Sequence, residues 1–234
     1  QVNFTKSGET ATVQTVAQKV AQYVAGFRYE DIPEATRERA KLLVLDAVGI
    51  AFASTQYDFA HRILSGLNAL TEGSSASLIG LPGKLALRDA VLMNGALVHG
   101  LDYDDTHIRA IIHATASAFP CALGVAESIN APGSELLAAY VLGMETAIRV
   151  SDAAGGRFHD FGFHPTGIAA HFSCALQAGW LYGLTPHQLV MAQGLAGSTA
   201  AGSQEFLEDG AWNKRLHPGW AAAAGITAAQ LARA

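Results

Sequence analysis

Residues 134–154 read "SELLAAYVLGMETAIRVSDAA". Their apolar side chains return at intervals of three and four, with Leu137, Tyr140, Val141, Met144 and Ile148 on one face, and Ser134 stands where a helix takes its cap. This spacing predicts a long helix, and the same pattern recurs on both sides of it. Val13, Val16, Ala17, Val20, Tyr23 and Val24 repeat it near the start. Pro33-Glu34 suits the first turn of a helix running through "KLLVLDAVGIAFAS" (41–54).

Further helices are expected over "HRILSGLNAL" (61–70), from about Leu85 through "RDAVLMNGALV" (88–98), and over "FPCALGVAESIN" (119–130), closed by Asn130. "HPTGIAAHFSCALQAGWLYG" (164–183), "TPHQLVMAQGLAGS" (185–198) and "HPGWAAAAGITAAQLARA" (217–234) add three more. Only "SASLIG" (75–80) reads as a strand. About eight or nine helices against one short strand predict an all-α, multi-helix bundle.

The chain has 234 residues, of which half are hydrophobic and only 15% charged, with a net charge of −5. This suffices for one large domain with a sizeable core. Residues 11–234 are expected to form it, with residues 1–10 as a flexible arm and a C-terminus that looks cut within a helix at Ala234. With no basic cluster, the charge balance argues against nucleic acid and acidic membranes as partners. Residues 161–204 carry no Asp, Glu, Lys or Arg. They are rich in Gly and Ala and interrupted at Pro186, which fits helices buried in a protein interior better than a membrane span. Cys121 and Cys174 lie in apolar helical patterns and read as packed thiols of a reducing compartment. With no signal or transit sequence visible, a cytoplasmic location is expected.

Against this sparing use of charge, "HGLDYDDTH" (99–107) sets two histidines, three aspartates and a threonine in nine residues. His113 follows shortly after. Capping and turn formation explain such residues well. The metal reading is also open, since His99, Asp102, Asp104, Asp105, His107 and His113 are all legitimate ligands. No HExxH, paired CxxC or EF-hand spacing accompanies them, so no metal is expected. Two other stretches favour catalysis. "FGFHPTG" places His164 before Pro165, and "NKRLHPG" places His217 before Pro218. Each proline suits the first position of a helix, whose free N–H groups attract an anion. Small residues after each would let a ligand approach closely. Lys214 offers an ammonium to a carboxylate or an enolate. His171, in mid-helix, reads as a hydrogen-bonded core residue.

Together, "KLLVLDAVGIAFAS", "NGALVHGLDYDDTH", "HATASAFPCALGVAE", "GFHPTG" and "NKRLHPGWAAAAGITAAQLA" resemble the MmgE/PrpD family, which includes 2-methylcitrate dehydratase, cis-aconitate decarboxylase and iminodisuccinate epimerase. The resemblance implies a helical domain, a homodimer and cofactor-free lyase or epimerase chemistry on small di- or tricarboxylates. It assigns His113, His164, Lys214 and Asp102 as catalytic, with Thr106 lining the site and Asp105 and His217 as further substrate-binding candidates. It also implies a second, α+β lid domain, absent from this chain. The loop after Thr106 reads "HIRAIIHATAS" rather than the "HPS"-type ending of the dehydratases and decarboxylases.

The chemistry these reactions share is a carbanion next to a carboxylate, which an ammonium and helix N-termini stabilise. A histidine is suited to move the proton. Two other readings stay open on the residues alone: a non-catalytic helical dimerisation module, and a His/Asp metalloenzyme. The catalytic reading requires His113, His164, Asp102, Thr106 and Lys214 to converge. The dimer is expected through apolar helices such as 165–182 and 186–201.

Overall fold

A computed structural model describes residues 13–70 and 73–234, so the arm expected over 1–10 lies outside the described residues. The fold is all-α. In chain order the helices are α1 (Val16–Gly26), α2 (Glu34–Ser54), α3 (Asp58–Leu70), α4 (Leu87–Val98), α5 (Thr115–Ile129) and α6 (Gly133–Ala153). They continue as α7 (Arg157–Asp160), α8 (Pro165–Leu181), α9 (Pro186–Thr199), α10 (Phe206–Asp209) and α11 (Leu216–Arg233). The "SASLIG" strand shrinks to β1 (Ala76–Ser77), paired antiparallel with β2 (Lys84–Leu85).

Local signals set most helix ends. The Thr15 hydroxyl accepts from Gln18 N–H while the Gln18 side chain accepts from Thr15 N–H, and Thr185 and Gln188 repeat this reciprocal cap before α9. Asn130 closes α5 in the left-handed conformation. Ser134 differs from expectation, for α6 already begins at Gly133 and Pro132 occupies the capping position. The second His-Pro differs too. α11 starts at Leu216, directly after a 3₁₀ turn over Trp212–Arg215, so Pro218 sits inside its first turn. The first four N–H groups of a helix have no partner within it, so proline there removes no helical hydrogen bond.

At the centre, α8 lies against α11, α6, α9 and α5, while α11 also crosses α4. Nearly all of α8 is buried, which explains a segment without charge. It also corrects one expectation: the apolar surface of 165–182 is covered by the chain's own helices and offers no free face for a partner. Large apolar side chains are exposed elsewhere, as at Leu42, Leu45 and Phe52 on α2 and Met191 on α9. Among the described residues, no single helix is long and apolar enough to cross a membrane. The α2–α3 pair passes that test only jointly, across an 88° bend.

Glycine allows the tightest crossings. A Cβ on Gly95 in α4 would fall 2.4 Å from Gly219 Cα, and one on Gly219 would fall 2.2 Å from the Leu92 carbonyl oxygen. A Cβ on Gly225 would meet Cys174 Cβ at 2.6 Å where α11 crosses α8. The small residues after His-Pro therefore serve packing within the chain, and the same holds for Gly167, whose Cβ would lie 2.8 Å from the Ala201 carbonyl oxygen. Cys121 and Cys174 are free and buried, with the Cys121 thiol donating to the Cys174 carbonyl at 3.7 Å.

These clashes are with backbone, which cannot rotate away. Gly219→Ala is expected to destabilise the protein by about 2–3 kcal/mol, within the range for overpacked cores. Gly194→Ala, mid-helix with nothing within 4 Å of the added methyl, is expected to be neutral or stabilising by up to about 1 kcal/mol. Urea denaturation of both variants checks the contrast, and equal stabilities would contradict the packing described.

Candidate active site

The site gathers where α4 ends and α11 begins. α4 runs buried to Val98, and His99 forms its C-cap. The chain then turns sharply. A Cβ on Gly100 would lie 2.4 Å from Ser54 Oγ and 2.6 Å from Phe59 Cζ, so only glycine fits there. Arg215 fastens the same turn, donating from Nε to the Gly100 carbonyl at 2.7 Å while its guanidinium lies 4.9 Å from the Phe59 ring centre. Asp102 takes the left-handed conformation at φ 59°, which an aspartate tolerates better than most residues.

From there its carboxylate meets Lys214, whose Nζ donates to Oδ1 at 2.7 Å and Oδ2 at 2.8 Å. Burial alone would raise the Asp102 carboxyl, but the hydrogen bond and charge of Lys214 outweigh it and hold it below the usual range. His113 lies alongside, with Nε2 3.7 Å from Asp102 Oδ1 and Nδ1 3.3 Å from Thr106 Oγ1. The Thr106 hydroxyl reaches back to the Asp104 carbonyl at 3.4 Å. Its oxygen can then accept a hydrogen bond from His113 Nδ1 in the tautomer that carries a proton there.

Behind them stands a second layer. His164 caps α8 and is buried, with Nδ1 3.1 Å from His217 Nδ1 on α11. Phe206 packs edge-on against both rings. One imidazole must donate and the other accept, which two imidazolium ions could not do. Burial first, and then the neighbouring His99, His217 and Lys214, push His164 down to about 2. His217 is lowered chiefly by burial, with His99 and Lys214 adding to it. The first turn of α8 is itself buried at Pro165, Thr166 and Gly167, and Thr166 Oγ1 accepts from His113 N–H at 3.1 Å.

The structure thus brings together His113, His164, Lys214, Asp102, Thr106 and His217. Asp105, beside them on the same loop, turns its carboxylate inward, where it accepts from Thr115 N–H at 3.2 Å, at the start of α5. Burial raises its carboxyl, the Thr115 hydrogen bonds oppose this, and the charge of Asp104 adds to it. Asp105 therefore acts as a cap for α5, the bland role open to any aspartate in such a loop. His171 is a core residue as expected, paired through Nδ1 with the Gly167 carbonyl at 2.7 Å.

Two residues outside the expected catalytic and substrate-binding set belong to the cluster. His99 Nδ1 lies 2.8 Å from Asp104 Oδ2, and both side chains are almost wholly buried. The available signal was a histidine closing an otherwise apolar helix. Ligand atoms of His99, Asp102, Asp104 and His113 all lie within 4.8 Å of one another, a donor set suited to a divalent cation. Lys214 already holds both oxygens of Asp102, however, so a cation there would have to displace the ammonium.

One helix crossing thus presents a lysine, two carboxylates and four imidazoles. The chain belongs to the MmgE/PrpD family, since the MmgE/PrpD N-terminal domain matches residues 18–234. It is 25% identical over 233 residues to the cis-aconitate decarboxylase of Aspergillus terreus, covering 97% of this chain and 47% of that protein. The cis-aconitate decarboxylase-like protein oryM of Aspergillus oryzae is 26% identical over 226 residues, covering 93% and 47% respectively. The Homo sapiens cis-aconitate decarboxylase is 26% identical over 227 residues, covering 94% and 46%. The chain spans just under half the length of these relatives.

His164, His171 and His217 are all lowered mainly by burial. An unfolded histidine titrates near pH 6.5, so below that pH the unfolded chain binds protons that the native state refuses. Stability from these groups is full above about pH 7 and falls as the pH drops through about 6.5. The thermal midpoint is expected to decline from pH 7 to pH 5, with a shallower decline in His164→Asn. A wild-type midpoint unchanged over that range would contradict the burial of these rings in neutral form.

Proposed function

We propose that this chain carries the proton-transfer and anion-binding face of a metal-free lyase acting on a small di- or tricarboxylate. The observation that carries the proposal is the Lys214–Asp102 pair beside His113, on the solvent-facing side of the cluster. Asp102 exposes 56% of its side chain, Lys214 23% and His113 18%. A carboxylate arriving from solvent therefore reaches the ammonium and the imidazole first.

In this reading Lys214 binds a substrate carboxylate and stabilises the enolate-like dianion that develops next to it. His113 Nε2 handles the proton. In dehydration it takes the proton from the carbon beside the carboxylate, and the C–H electron pair expels hydroxide from the neighbouring carbon. In decarboxylation the C–C bond to the departing CO2 leaves its electron pair on that carbon, and a protonated Nε2 supplies the proton. In epimerisation the same carbanion is reprotonated on its other face. The relatives, named as cis-aconitate decarboxylases, favour decarboxylation. His164, kept neutral, and His217 bound the site and offer hydrogen bonds without adding charge. Asp102 orients Lys214, and Thr106 fixes the His113 tautomer.

The test is turnover of cis-aconitate and 2-methylcitrate by the protein at its full natural length. Lys214→Ala is expected to lower kcat/KM by about 10²–10³-fold, the scale for losing one electrostatic stabiliser, with the thermal midpoint shifted by only a few degrees, since an exposed ion pair contributes about 1 kcal/mol or less. Chelator is expected to leave turnover unchanged. Full turnover in Lys214→Ala would overturn the reading, and so would loss of activity on chelation restored by a divalent metal.

The homodimer implied by family resemblance belongs to the same proposal. Light scattering at micromolar concentration is expected to give twice the chain mass, and the monomer mass alone would count against it.

A further inference from the structure

Among the described residues, three other than glycine hold a positive φ: Asp102, Ile111 and Asn130. Asn130 closes α5, and asparagine and aspartate visit the left-handed region readily. Ile111 has no such chemistry to excuse it. At φ 52° its branched side chain crowds the backbone, a conformation that persists only where the surroundings impose it. Those surroundings are a closed strap over residues 107–112. His107 N–H donates to the Ile112 carbonyl at 2.9 Å, and Ile111 N–H to the His107 carbonyl at 2.8 Å. Ala110 N–H donates to His107 Nδ1 at 3.2 Å.

The strap is tied to the end of α6. Ser151 is buried there, and its hydroxyl donates to the Ala110 carbonyl at 2.7 Å. Beside it Asp152 accepts from Arg109 Nε at 2.7 Å and from Nη2 at 2.8 Å. Arg109 is largely exposed, so solvent screens that pair and Ser151 is the firmer tie. Ala110 and Ile112 turn inward and pack with Ala147 of α6 and Ala169 of α8. What the strap carries lies just outside its closed end. Pairing His107 with Ile112 brings the flanking Thr106 and His113 side by side, with Thr106 Oγ1 3.3 Å from His113 Nδ1. His113 N–H donates to Thr166 Oγ1 at 3.1 Å, which fixes the backbone of that end to α8.

We propose that Ser151 and Ile111 are positioning residues for His113: the hydroxyl anchors the strap, the left-handed turn closes it, and closure holds Thr106 against the His113 ring. This rests on the reading of His113 as the group that handles the proton, but the placement of the ring is measurable without turnover. Lys214 and Asp102 are held instead by the packing of α4 on α11. Opening the strap therefore leaves the binding of a substrate carboxylate in place and displaces the imidazole. A shift of about 1 Å in a reacting group costs up to about 10²-fold in rate. Two substitutions at one position separate conformation from packing. Ile111→Asn accepts the left-handed backbone. Ile111→Pro forbids it, since the ring fixes φ near about −65° and removes the N–H given to His107.

The experiment compares wild type, Ile111→Pro, Ile111→Asn and Ser151→Ala in the protein at its full natural length. Ile111→Pro is expected to lower kcat on cis-aconitate by about 10–100-fold, with KM within about twofold of wild type. Ser151→Ala is expected to lower kcat in the same direction, and Ile111→Asn to keep it within about twofold. In protein labelled at threonine methyls and histidine rings, a nuclear Overhauser contact between Thr106 and His113 is expected in wild type and Ile111→Asn. It is expected to vanish in Ile111→Pro. Should Ile111→Pro fail to fold, Ser151→Ala takes its place in both measurements. A folded strap variant with wild-type kcat would overturn the proposal, and so would one that keeps the contact. Losses of kcat that merely follow the thermal midpoint, with no rescue by asparagine, would overturn it as well. If wild type turns over no carboxylate, the proposed reaction fails, and the Thr106–His113 contact alone decides the role of the strap.

Discussion

The contact between Gly95 and Gly219 decides where everything else in the site can be. α4 and α11 touch there backbone to backbone, at a separation no side chain would permit. Asp102 lies just beyond the C-terminal end of α4, and Lys214 just before the first residue of α11. Two segments more than a hundred residues apart in sequence are thereby brought to one place, and the ion pair between them closes a junction that packing has already made. Small residues bring helices together at low cost in side-chain entropy, but they tolerate no added atom. The Gly225 crossing of α8 extends the same constraint to the helix that begins with His164.

Packing this tight and apolar also governs the electrostatics. His164, His171 and His217 lie among helices that supply little charge, and burial is the first cause of depression for each. Neutral imidazoles can hydrogen-bond to one another, as His164 and His217 do. The permanent positive charge of the site is concentrated on Lys214, and it stands at the rim. The positive charge thus lies at the rim and not in the core, as expected where desolvation penalises an ion that lacks a partner.

Much of this was legible in the sequence. The periodicity of 134–154 and its counterparts gave the helices, because a three-to-four spacing has one simple structural meaning. The residues that converge could be named from their motifs, because "DYDDTH", "GFHP" and "KRLHP" are local and specific. What local motifs do not encode is direction. Asp105 and Asp104 are neighbours of the same type, yet one caps α5 and the other pairs with His99. Their roles follow from the left-handed turn at Asp102 and from the turn at Gly100, where Ser54 of α2 and Phe59 of α3, distant in sequence, leave room only for glycine. The glycines after each His-Pro misled for a related reason. Close approach was correctly expected, but the approaching group is the chain's own backbone. The apolar face of α8 was likewise read as free when five other helices cover it.

Depth separates the two carboxylates beside His113, and the difference in depth gives them different consequences. Asp102 is 56% exposed, so its bond to Lys214 contributes about 1 kcal/mol or less and is screened by solvent. A ligand carboxylate can take over the ammonium at little cost, and the pair is therefore suited to exchange. Asp104 is 1% exposed, and removing a partner from a buried charge costs about 3–5 kcal/mol. Its contacts are therefore suited to persist while those at the rim change. The cluster thus exchanges its contacts toward solvent and keeps them toward the helix core. That division requires the two carboxylates to differ in burial, and the sharp turn at Asp102 separates them within three consecutive residues.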